Sequence, residues 1–187
     1  MSVVAADTVA GHLDFLVMQP DHERAVVRDL VFAVLAFNKY SRGEPLQISF
    51  PLYTDPKVSA RDMLGPCIRV TGPGEKLYVL TLRYEVAAHL RAGRAMTFVR
   101  DRAVVQKGRN ERFSLVPSAR AASSSKRARG RPLVLTGHSQ LIEAAGRLGA
   151  AVRDEAAFVA RGESLVATEG AVGLLGFSER KTLPVLK

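Results

Sequence analysis

The chain has one cysteine, Cys67, so no internal disulfide can form, and a lone thiol suits a reducing compartment. Its four histidines, His12, His22, His89 and His138, fall in no H-E-x-x-H frame, and one cysteine cannot build a structural zinc set. Gly72-Pro-Gly74 lacks the lysine and hydroxyl of a phosphate-binding loop, and Gly137-His-Ser139 is not a nucleophile elbow. No metal and no cofactor are therefore expected. No apolar run reaches membrane-spanning length, and the opening Met1-Ser-Val-Val-Ala-Ala-Asp7 lacks the basic start and long apolar stretch of a signal peptide. The chain reads as soluble and cytoplasmic, with no membrane partner. Its 187 residues, 47% of them apolar, suffice for one domain or two small ones with a buried core.

What the chain does have is charge gathered in one place. Residues 91–131 hold twelve Lys/Arg against two acids, Asp101 and Glu111. Residues 1–90 hold nine basic and ten acidic side chains, and residues 132–187 hold six of each. The whole excess of +9 thus sits in under a quarter of the chain. Charge concentrated this way is the footprint of a polyanion partner. The candidate RNA contacts are Lys107, Arg109, Arg112, Arg120, Ser123, Lys126, Arg127, Arg129 and Arg131. Ser123 to Ser125 can cap a short helix, which Gly130 and Pro132 limit to a turn or two. The competing reading is a solvated basic loop that serves solubility alone.

Residues 12–18 are apolar and β-prone, and Gln19-Pro20 closes them as a first strand. Asp21 is placed to cap a helix in which Val26, Val27, Leu30, Val31, Val34 and Phe37 recur at three- and four-residue spacing. Residues 46–50 and 67–71 read as a second and third strand. Residues 75–90 suit a helix slightly better than a strand. Residues 96–99 and 103–106 supply a fourth strand in two pieces. This βαββαβ order predicts an N-terminal ferredoxin-like domain over residues 1–106, with both helices on one sheet face and the other face free. A smaller, basic α+β part follows over residues 107–187. In it, residues 138–152 read as an Ala-rich helix. Phe158-Val159 and residues 164–168 read as strands paired around an Arg161-Gly162 turn. Glycines in the tail, from Gly170 to Gly176, let its backbone pass close to another chain or to a ligand.

A metal-free ribonuclease needs only a base, usually His, and a group that stabilises the phosphorane, because RNA carries its own 2′-hydroxyl nucleophile. His12, on the first strand, and His22, at a helix start, are formal candidates, with Tyr40 as a further one. Without a visible partner, the structural role is favoured for both histidines.

Four pieces of the chain, in order, resemble the CRISPR repeat-processing endoribonucleases of the type I-F branch. They are His12-Leu-Asp-Phe through Gln19-Pro-Asp21; Phe37-Asn38 followed by Ile48-Ser-Phe-Pro51, similar to the family's I-G-V-S-F-P; the basic Ser118-Ala-Arg120 leading into Lys126-Arg-Ala-Arg129; and Glu169-Gly170 through Leu175-Gly-Phe-Ser178 and Leu183-Pro184, similar to a glycine-rich tail with Y-G-L-S and a late proline. The resemblance implies a ferredoxin-like domain and an arginine-rich part that grips the guide-RNA stem-loop. It also implies metal-independent cleavage at the hairpin base, after which the protein stays in a CRISPR ribonucleoprotein complex of antiviral defence. The chain departs from the family where the chemistry should be. Ungapped alignment puts Leu35 at the catalytic histidine and Leu175 at the tail tyrosine. Leucine can neither take a proton nor orient a hydroxyl. A subunit that holds the hairpin without cutting it therefore competes with a nuclease that uses a relocated residue. The alternative to both is a generic basic RNA-binding or ribosome-associated protein.

Overall fold

The computed structural model describes residues 11–53, 64–98, 105–116, 131–147, 150, 156–178 and 183–186. The molecule is α+β, with two four-stranded antiparallel sheets. Strand β1 is Gly11–Val17 and helix α1 is Glu23–Tyr40. Strands β2, Gln47–Ser49, and β3, Cys67–Gly72, follow. Helices α2, Gly74–Leu82, and α3, Tyr84–Arg91, lead to β4, Ala95–Phe98. The first sheet runs β2-β3-β1-β4.

Alternation sets the faces of this sheet. Leu13, Phe15 and Val17 are buried against the stripe of α1 formed by Val26, Val27, Leu30, Val31 and Val34. The helix forms as its periodicity predicts, but not as its cap does. A 3-10 turn at Pro20–His22 precedes it, the N-cap is His22, and no side chain caps it. Residues 75–90 are helical too, broken at Arg83, whose extended ψ of 135° separates α2 from α3.

The opposite face is free only in part. Phe98 lies across from Asp14 and Met96 across from Leu16, and Leu16, Met96 and Phe98 are exposed. Further in, Asp14, Gln47, Ser49 and Arg69 are all buried. Asp14 and Arg69 stand opposite each other in register. Arg69 donates twice to the carboxylate, Nε to Oδ1 at 2.6 Å and Nη2 to Oδ2 at 2.8 Å.

The second sheet runs β6-β7-β5-β8, built from β5 (Val105–Leu115), β6 (Arg131–Val134), β7 (Ala156–Ser164) and β8 (Leu183–Leu186). Helix α4, Ser139–Arg147, lies between β6 and β7. Both sheets thus follow one rule: second, third, first, fourth in chain order. Residues 105–106 do not finish a fourth strand of the first sheet; they open β5 of the second. Nor do Arg161 and Gly162 form a turn. Strand β7 passes straight through them, with Gly162 opposite Arg112. A Cβ on Gly162 would lie 2.8 Å from Arg112 Nε, so the glycine leaves room for that side chain.

One apolar core spans both sheets. Phe50 meets Phe113 edge-on at 5.4 Å and stacks with Phe177 at 6.4 Å. The Tyr53 hydroxyl donates to Val159 O across 3.1 Å. The tail closes the joint: Gly176 O accepts from Ile48 N at 2.8 Å, and Asn38 Nδ2 donates to Leu46 O and Leu174 O. Gly176 has φ +79, and an added Cβ would come within 3.0 Å of Val34 and Ile48. Gly176→Ala should therefore cost about 1–3 kcal/mol, by left-handed strain and crowding together. Urea unfolding of the variant checks this; an unchanged midpoint would mean that the tail does not pack so closely.

Among the described residues, no helix is long and apolar enough to cross a membrane.

Candidate functional site

Helix α1, helix α3 and the turn after β6 bring three residues together that lie 60 and 109 positions apart. Asp29 sits on α1, on the side that meets α3 and β6. Its Oδ2 accepts from His89 Nε2 at 2.8 Å, in the last turn of α3. Its Oδ1 accepts from His138 Nε2 at 3.0 Å and from Arg28 Nε at 2.7 Å. Arg28 Nη1 donates to Thr136 O at 3.1 Å, which ties the turn to the helix a second time.

The turn has a local cause. Gly137 takes φ +84, which glycine adopts without strain, and His138 N donates back to Leu135 O. His138 O then accepts from Leu141 N and Ile142 N and so starts α4. The imidazole lies on Phe32, one helical turn beyond Asp29, with ring centroids 4.4 Å apart and a 31° tilt.

The charge of the cluster is settled at Asp29. Burial alone would push its carboxyl up. The hydrogen bonds from His89, Arg28 and His138, with the Arg28 charge, outweigh burial and hold it well below the usual carboxylate range. An ionised Asp29 accepts only, so both histidines present Nε2–H to it and carry the lone pair of their neutral form on Nδ1.

Here the two histidines part. His89 Nδ1 is buried without a hydrogen-bond partner, and the ring borders a cavity of about 10 Å³ lined by Phe15, Val26, Leu30, Val86, Leu90 and Ala95. One polar neighbour is too few to hold a water there. His138 keeps 21% of its side chain exposed, and Arg28 keeps 27%. His89 is thus a strut, and His138 is the member of the cluster that a ligand can reach.

The residues singled out from the sequence fall elsewhere. Arg120, Ser123, Lys126, Arg127 and Arg129 lie outside the described residues, as do the side chains of Lys107 and Arg109, which belong to β5. Arg112 is exposed on β5. Arg131 is not a surface contact: it is 1% exposed at the start of β6, close enough to Glu23 for its charge to act on that buried carboxyl. His22 and Tyr40 bracket α1, about 27 Å apart by helical rise, so they cannot share a site. Leu35 and Leu175, 4% and 0% exposed, are core residues. Among the described residues, no group of three or more His, Cys, Asp or Glu could hold a metal ion.

No family model matches the chain, and no curated protein is detectably similar to it.

Proposed function

We propose that the chain binds the stem-loop of a guide RNA and remains on it as a subunit of a type I-F-like CRISPR ribonucleoprotein complex. The observation that carries this reading is the confinement of the net charge to residues 91–131. That span includes β4, the length of β5 and the first residue of β6. The strand order β2-β3-β1-β4, with helices after the first and third strands, supports a ferredoxin-like first domain. Exposed Phe98 on the edge strand offers an unpaired base a ring to stack on.

The test is binding to a labelled CRISPR-repeat hairpin and to a scrambled single strand of equal length, over a range of salt. The hairpin should bind more tightly, and log K should fall linearly with log salt. Replacing Lys126, Arg127 and Arg129 together with alanine should weaken binding at every salt and lower the slope by about 2 to 3, roughly one for each lost phosphate contact. Equal affinity for the two RNAs would leave only a generic basic protein.

A further inference from the structure

We propose that the outer edge of β4 docks an acidic, extended segment of another protein, which adds to the first sheet as a further strand. The inference goes beyond the hairpin reading and does not rest on it.

The two edges of this sheet differ. At β2 the chain's own tail is in place, with Gly176 O accepting from Ile48 N at 2.8 Å. At the other end, β4 closes the order β2-β3-β1-β4, and among the described residues no strand lies beyond it. Sheet edges are commonly blunted by proline, an inward-pointing charge or a bulge. Residues 95–98, Ala-Met-Thr-Phe, have none of these, and their register with β1 is unbroken.

The phase of the hydrogen bonds fixes what this edge presents. Met18 N donates to Arg94 O at 3.0 Å, in register with the Leu16–Met96 and Asp14–Phe98 pairs. Those pairs bond to β1, so Ala95 and Thr97, which alternate with them, direct N–H and C=O away from it. Donors and acceptors thus alternate along the edge, a pattern that another extended backbone matches.

The side chains say what the incoming strand carries. Met96 and Phe98 are exposed on one face, beside exposed Leu16 across the ladder, and Thr97 is exposed on the other. Apolar residues at alternate positions of a partner strand cover Met96 and Phe98. Arg91 and Arg94, both exposed, precede β4, and residues 91–98 hold no acid. Acidic residues in the partner complement that charge. A second copy of the chain does not, because it brings the same arginines to the same strip. RNA meets the charge but has no strand backbone for Ala95 and Thr97 to pair with.

The test uses the full chain without RNA and a fluorescent peptide that alternates valine with glutamate, read by anisotropy. The peptide should bind. Its counterpart with lysine for glutamate should bind about tenfold more weakly, and the gap should shrink as salt rises. Thr97→Pro removes an outward N–H and no bond to β1, a position where a strand tolerates proline. It should keep the wild-type melting curve and weaken peptide binding about tenfold. Two further peptides, N-methylated at every valine or at every glutamate, probe wild type directly and so need no variant that folds. One should lose binding and the other keep it, since only alternate nitrogens of an added strand face the edge. Equal binding by both, or by neither, would overturn the proposal. So would unchanged peptide binding by folded Thr97→Pro. If that variant instead lost single-stranded RNA, the edge would belong to RNA; if it dissolved a dimer of the chain, to a second copy.

Discussion

Replacing Arg69 with methionine should cost about 3–5 kcal/mol of folding stability, the usual consequence of removing one partner from a buried ion pair. Arg69 and Asp14 keep only 5% and 4% of their side chains exposed. They face each other on the two central strands of the first sheet, joined by a two-pronged contact. Methionine fills the space of the arginine stem but removes both hydrogen bonds that the guanidinium gives to the buried Asp14 carboxylate. The loss extends to the second sheet. Glu111 on β5, itself buried, feels the Arg69 charge and accepts from Arg161 Nε at 3.0 Å. Asp14→Leu combined with Arg69→Met removes both charges at similar volume and should lie within about 1–2 kcal/mol of wild type. Urea unfolding of wild type, the single variant and the double variant measures the difference. A single-variant loss below about 1 kcal/mol would show that water reaches Asp14 easily.

Asp29→Ala should cost about 2–4 kcal/mol at neutral pH, and this gap should close in acid. Three donors lose their acceptor. Arg28 and His138 turn to water, but His89, with 7% of its side chain exposed, is left with neither ring nitrogen satisfied. The sign of the pH dependence follows from the direction of each shift. The Asp29 carboxyl is lowered on folding from an ordinary 3.8, so its contribution is complete above that value and is lost as pH falls further. Glu23 and Glu111 shift the other way. Burial raises each above the ordinary 4.5, against backbone hydrogen bonds at Glu23 and the Arg161 charge at Glu111. Their contribution is complete below that value and is lost as pH rises through their raised folded values. Stability should therefore rise from neutral to mildly acid pH and then fall. Unfolding midpoints of wild type and Asp29→Ala across that range would show the maximum and the narrowing gap. A gap that stays constant into strong acid would mean that Asp29 is not the acid-sensitive tie.

The first half of the fold could be read from local pattern because local pattern decides it. The α1 stripe and the alternation of residues 13, 15 and 17 each point to one buried face, and the structure buries those faces. The second half was harder for reasons visible in single residues. Strand β5, with Lys107, Arg109, Asn110 and Arg112 along it, carries few apolar markers and draws its burial from β7 and β8 on either side. Gly162 resembles a turn residue until its neighbour across the ladder, Arg112, is known to need the space. The Asp29–His89–His138 cluster joins an exposed-looking position of one helix to two histidines beyond the range of any local motif. Only the presence of Asp29 on the polar side of α1 hinted at it. Arg131 is the converse case: its place at the end of a basic run suggests a surface charge, and the fold buries it.

The packing of residues 174–178 also sets an order of events during synthesis. Leu175 and Phe177 fill space beside α1 and β2, and Gly176 supplies an acceptor to the outer edge of β2. A nascent chain that has released only its first hundred residues can pair β1 with β3 and β4. It still shows solvent an apolar flank and an unpaired edge at β2, the kind of surface that recruits other chains. The edge of β2 is therefore completed only after residues 174–178 have left the ribosome. Until then its soundness depends on how quickly those residues emerge and on what shields the β2 edge in the interval.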